Sequence, residues 1–186
     1  MLPEVSSERH IRILRLLLII SFVVFAAVVR ALPHPWNFTP IGAMALFSGA
    51  KLGRSWQAFL YPLSALFVGD LFVGFHRLMP IVYLSFCLSV LIGMLFRRTQ
   101  TPGRLALATF LAALQFFIFT NFAIWAVGTT YAKSAVGLFT CYVAGLPYFG
   151  NTLAGDAFYA TILFGSFAFV EYLNPSLKVC EPLSAR

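Results

Sequence analysis

Charged side chains cut this chain into apolar lengths that approach or exceed what a helix needs to cross a lipid bilayer. Leu16 to Val29 lies between two arginines, Ala31 to Ala50 has no formal charge, Ser55 to Phe75 holds only Asp70, and Leu78 to Phe96 and Leu105 to Ala132 hold none. About 20 apolar residues span the hydrocarbon core as a helix. The composition agrees: 60% of residues are hydrophobic and 10% charged, with a mean hydropathy of +0.87, whereas a soluble domain is about 25% charged. The runs are too long and uniform for outer-membrane strands, which alternate over about ten residues. The 21 Phe, 7 Tyr and 3 Trp exclude a disordered chain. The expectation is an all-α polytopic membrane protein, one membrane domain over 1–186.

The last apolar stretch, Ser134 to Tyr172, is punctuated by Gly145, Pro147, Gly150, Asn151 and Gly155. This pattern predicts an external loop or interfacial helix over 131–150 and a span from about Asn151 to Tyr172. Six spans result, at about 14–30, 38–50, 56–75, 79–96, 105–130 and 151–172. With both termini inside, Arg9, Arg12, Arg15, Lys51, Arg54, Arg97, Arg98, Arg104, Lys178 and Arg186 are cytoplasmic. Arg30, Arg77 and Lys133 are external, a split of ten against three that follows the positive-inside rule. A seventh span over Ser134 to Leu146 weakens the split to eight against five. The first segment also reads as a signal peptide with a loose Val29-Arg30-Ala31 cleavage triplet, though arginine fits that triplet poorly. The orientation expected is a bacterial inner-membrane protein with both termini cytoplasmic, surrounded by lipid. Nothing points to nucleic acid.

Polar residues are expensive in a membrane domain, so their placement is informative. They gather on the external side: His34, Trp36 and Asn37 before span two, Asp70, His76 and Arg77 between spans three and four, and Tyr131, Tyr142, Tyr148, Asn151 and Asp156 after span five. Pro33, Pro35 and Pro40 keep 32–39 out of helix, with Thr39 placed to cap a helix starting at Pro40. From Pro40 to Ala50 is only about 16 Å of helix, so irregular backbone must sit at membrane depth, where it is tolerated when packed in protein or lining a cavity. A cavity open to the outside is the reading that also accounts for Asp70 and Asp156; an aromatic interface belt explains only the Trp and Tyr residues. Asp70 needs a partner, with His76 or Arg77 in reach by sequence.

Three cysteines, 87, 141 and 180, share no zinc or C-x-x-C spacing. Cys87 lies two turns below the outer end of span four, on one helical face with Tyr83. Three readings stand: a small hydrophobe, a disulfide with Cys141, or a soft metal ligand at the cavity floor.

Four segments carry a resemblance: Asn37-FTPIGAMALFSGAKLG-Arg54, Pro62-LSALFVGDLFVGFH-Arg77, Val82-YLSFCLSVLIG-Met94 and Cys141-YVAGLPYFGNTLAGDAFYATILFG-Ser166. From about Asn37 to Ser166 the chain resembles the small six-helix proteins related to the substrate-binding S components of energy-coupling-factor (ECF) vitamin transporters, and within them the BtuM-like cobalamin (vitamin B12) uptake proteins. The resemblance implies an outward-facing vitamin pocket in a six-helix S-component-like bundle, and cobalamin as transported ligand. It also implies Cys87 as axial ligand to the corrin cobalt, a bound metal deprotonating its thiol. Sulfur donation would labilise an upper ligand such as cyanide. Trp36, Phe38, Tyr83, Tyr142 and Tyr148 would pack the corrin face, and Asn37 and Asn151 would meet its amide arms. Classical S components dock on an ECF energising module through small residues spaced by three or four; Ala27 with Ala31 and Ala45 with Gly49 fit, as they would ordinary helix packing. Two other classes compete: a membrane enzyme with Cys87 as nucleophile, His76 or His34 as base and Asp70 as orienter, and a structural subunit without ligand. The sequence has no P-loop.

Overall fold

The computed structural model describes residues 17, 20, 21, 24–26, 28, 29, 35–53, 55–98 and 101–173. All regular structure among them is helical. Described positions between 17 and 29 belong to a first helix, α1. It is followed by α2 (Ile41–Leu52), α3 (Gln57–Val73), α4 (Met79–Leu95), α5 (Pro102–Val127) and α6 (Ala135–Leu173). Helices α5 and α6, of 26 and 39 residues, are long and apolar enough to cross a membrane; α2, α3 and α4 are shorter apolar helices. Only 22% and 28% of the most apolar windows of α5 and α6 are buried. Side chains such as Leu107, Phe110, Phe119 and Phe158 point outward, an apolar surface that lipid accommodates and water does not.

The organising element is α2, whose residues Ile41 to Ala50 are all buried between α3, α4, α5 and α6. Small residues permit this. Where α2 crosses α4, a Cβ on Gly49 would lie 2.1 Å from the Val90 carbonyl oxygen and one on Gly93 would lie 2.2 Å from that of Leu46, so each helix's glycine receives the other's backbone. Ser48 Oγ donates to Ala58 O at 2.7 Å, tying α2 to α3. Phe47 packs edge-on against Phe164 and Phe167 of α6. At the same end Lys51 pairs with Glu171 at 3.6 Å and lies over the Phe167 ring. Ala45 and Gly49 are thus consumed by internal packing and do not form a docking stripe. Ala27 and Ala31 lie outside the described residues.

The expected break between residues 131–150 and the last span is absent: α6 runs unbroken through Pro147. Gly145 and Gly155 are packing devices, not punctuation. A Cβ on Gly145 would meet Asn121 Oδ1 at 2.4 Å, and Phe149 packs against the rings of Phe117 and Phe110, so the first half of α6 lies close on α5. The second half leaves α5 for α2, Gly155 closing on Phe38. Proline is tolerated inside an apolar helix when neighbouring helices pack around the freed backbone.

Candidate functional site

Helix α2 starts deep in the bundle. Leu46 packs with Ala108 and Ala112 of α5, so Pro40, under two turns further on, lies about halfway along α5. The chain reaches that depth as irregular backbone over 35–40, with a turn closed by Phe38 N–H to Pro35 O at 3.0 Å and Asn37 in the left-handed region at φ 62°. Asparagine is among the few side chains that adopt it readily. The notch above α2 is a cavity of about 730 Å³, within the range of small-molecule sites.

Its wall mixes two kinds of group: Asn37, Thr39, His76, Ser89 and Asp156 are polar, and Trp36, Val82, Phe86, Phe116 and Ile124 give apolar and aromatic surface. Thr120, Asn121 and Thr152 add hydroxyl and amide groups, but Thr120 and Thr152 donate to carbonyls one turn back, Phe116 O and Tyr148 O. Ser89 Oγ donates to Ser85 O and accepts from Gln115 Nε2 at 3.0 Å, holding α4 to α5 beneath the cavity.

Among the described residues Asp156 is the one carboxyl on this wall, and it is 4% exposed. It accepts the N–H of Ala43, the third residue of α2, whose own N-cap Pro40 offers no side-chain acceptor. A residue of α6 therefore does the capping that Thr39 was expected to do. Gly42 makes this possible: a Cβ there would fall 2.2 Å from Asp156 Oδ1. A carboxyl at a helix N-terminus also opposes the helix dipole.

Residues 11–177 match a family of unknown function, DUF6580. The chain belongs to DUF6580. No curated protein and no solved structure matches it.

Of the thirteen residues expected at the site of this DUF6580 chain, the structure brings five to the cavity: Trp36, Asn37, His76, Tyr148 and Asp156. His34 lies outside the described residues. The other seven sit elsewhere. Phe38 is wedged between Phe158 and Tyr159. Asp70, 1% exposed, accepts a hydrogen bond from Tyr83 at 3.0 Å. That pairing replaces the one expected with His76 or Arg77: His76 Nδ1 accepts the Leu78 N–H and Arg77 is exposed. Tyr142 packs on Phe117 and donates to Ile118 O at 2.8 Å. Asn151 is half-buried off the wall. Cys87 is half-buried with Tyr83 on α4, while the cavity is lined by Val82, Phe86 and Ser89. One residue's step around a helix is about 100°, and that step keeps the thiol off the wall in this conformation. Cys87 and Cys141 are both free thiols, Cys141 donating to Asn121 O. No cluster of three or more metal-ligating side chains occurs among the described residues, and Cys87, His76 and Asp70 form no hydrogen-bonded triad.

The residues that sequence reading missed are mostly on α4 and α5. The signal was present: Phe116, Thr120 and Ile124 recur every four residues, and Thr120-Asn121 is a polar pair inside a 28-residue run without charge, the kind of intramembrane polarity that marks a site.

Proposed function

We propose that this DUF6580 chain is the binding component of a bacterial inner-membrane vitamin transporter, with cobalamin as the first candidate ligand. The observation that carries the reading is the cavity above the shortened α2. It is set about halfway into the bundle and lined by apolar surface together with hydrogen-bonding groups, the pattern of an amphiphile site. Its position also suits uptake. Lys51, Arg97, Arg98 and Arg104 lie at the ends of α2 and α4 and the start of α5, opposite the cavity mouth, so the positive-inside rule turns the mouth away from the cytoplasm. Six spans with both termini inside complete this arrangement. Helices of 12 and 17 residues fit because α2 is extended by 35–40 and α3 and α4 by their turns.

Cobalamin is favoured over other vitamins by the BtuM-like resemblance of the segments that build the cavity, not by a visible cobalt ligand. A sulfur–cobalt bond requires α4 to turn so that Cys87 reaches the face that Phe86 presents to the cavity. The test is equilibrium dialysis of the purified full chain in detergent against cyanocobalamin, with the visible spectrum of the bound fraction. Saturable binding near one per chain supports the reading, and a changed cobalt spectrum that Cys87→Ser restores supports sulfur ligation. Absence of saturable binding refutes cobalamin as ligand.

A further inference from the structure

The cavity has a charge character that constrains its ligand further. Among the described residues no Lys or Arg lines it. Of the external basic residues, Arg77 is exposed off the wall, Lys133 donates to the carbonyls of Trp125, Ala126 and Gly128, closing the end of α5, and Arg30 lies outside the described residues. Among the described residues an anionic ligand finds no Lys or Arg on the wall to pair with.

The other device for receiving an anion at membrane depth is the N-terminus of an interrupted helix, whose free N–H groups and dipole face the ligand. The start of α2 has that position. It is already occupied by the protein's own carboxyl, with Asp156 accepting the Ala43 N–H and standing so close to Gly42 that no Cβ fits between them. A carboxyl group keeps acceptor capacity beyond one hydrogen bond whether or not it is protonated, and Asp156 is itself part of the wall. What it offers a ligand is therefore an acceptor, while Val82, Phe86, Phe116 and Ile124 offer aliphatic and aromatic surface.

We propose that the cavity takes a neutral or cationic amphiphile that presents an N–H group to Asp156, and that it rejects ligands carrying a carboxylate or phosphate on the inserted part. This deepens the reading above and rests on the cavity being a vitamin site. Asp156 serves as the selecting residue, and its bond to Ala43 fixes the carboxyl in place so that selection needs no reorganisation on binding.

Matched pairs differing only in charge test it, using the purified full chain in detergent and equilibrium dialysis. One pair is cyanocobalamin and its monocarboxylic acid, in which a side-chain amide is hydrolysed; the other is riboflavin and riboflavin 5′-phosphate. The neutral member is expected to bind at least tenfold more tightly. Asp156→Asn, which keeps an acceptor for Ala43, is expected to shrink that preference below threefold while the melting temperature confirms folding. If that variant does not fold, Ile124→Lys, nearer the mouth, is expected to reverse the preference. An anionic member binding as well as its neutral partner overturns the inference and leaves the vitamin reading intact. Discrimination in the riboflavin pair alone sustains the inference and removes cobalamin. A tenfold preference unchanged by Asp156→Asn overturns the role of Asp156, and binding of no probe overturns both readings.

Discussion

Gly93→Ala separates local helix preference from packing, because the two predict opposite signs. By intrinsic propensity, alanine in the middle of a helix is better than glycine by about 1 kcal/mol. The structure reverses this. A Cβ on Gly93 would lie 2.2 Å from the Leu46 carbonyl oxygen and 3.1 Å from its Cα, backbone that no rotamer change can move. Helices α2 and α4 must part by about 1 Å, and a gap of that size forfeits roughly a quarter to a half of each affected dispersion contact. The reciprocal fit of Gly49 on Val90 opens with it. Overpacking of this kind costs about 1–3 kcal/mol, so after the propensity gain the net loss is about 0–2 kcal/mol, or a fall of up to about 8 °C in melting temperature for a chain of this size. The internal control is Gly165→Ala in α6, which is exposed with nothing within 4 Å of its Cβ position; it should raise the melting temperature by up to about 4 °C. The assay is thermal unfolding of both variants in one detergent. A rise for Gly93→Ala matching that of Gly165→Ala would refute the close α2–α4 crossing and the placement of α2 that depends on it.

Asp70→Ala should destabilise the chain by about 1–3 kcal/mol by removing the acceptor of the Tyr83 hydroxyl, and adding Tyr83→Phe should recover part of the loss; a strictly additive double mutant in thermal melts would contradict the α3–α4 hydrogen bond. Cys141→Ser should leave corrinoid binding unchanged, since Cys141 is a free thiol facing Asn121; if it abolishes binding along with Cys87→Ser, a disulfide between them becomes the better account. In intact cells, cysteines engineered at Ser7 and Ser184 should resist an impermeant thiol reagent while one at Ser134 reacts, and labelling at Ser184 would rule out the six-span orientation.

Helix class and apolar character were readable because hydrocarbon imposes a coarse, one-dimensional rule on chain length. The irregular backbone over 35–40 was also legible, since Pro33, Pro35 and Pro40 keep that stretch out of helix. What failed depended on which face of a helix meets which neighbour. Gly145, Pro147 and Gly150 looked like a break, yet α6 continues through all three, and Gly145 is what lets Asn121 of α5 come close. Asp156 was placed among the site residues, yet its bond to the start of α2 joins positions more than a hundred residues apart, and no local pattern encodes that pairing. Cys87 and Phe86 differ by one step in sequence and by a helix face in space, so the segment was located correctly while its wall residue was not. Small residues at four-residue spacing are equally ambiguous: Ala45 and Gly49 satisfy both an external docking stripe and an internal crossing, and the burial of α2 assigns them to the latter.

The account turns on the cavity being the ligand site, and Ile124→Trp tests that most directly. Ile124 lines the cavity from the outer part of α5 and is half-buried, so an indole there fills the space without pressing on the core around α2. Cyanocobalamin affinity should be measured by equilibrium dialysis for the wild-type chain and this variant, alongside their melting temperatures. The account predicts saturable binding by the wild type and at least a tenfold loss in the variant at unchanged melting temperature. Equal affinity in the two proteins would place the ligand elsewhere and contradict it.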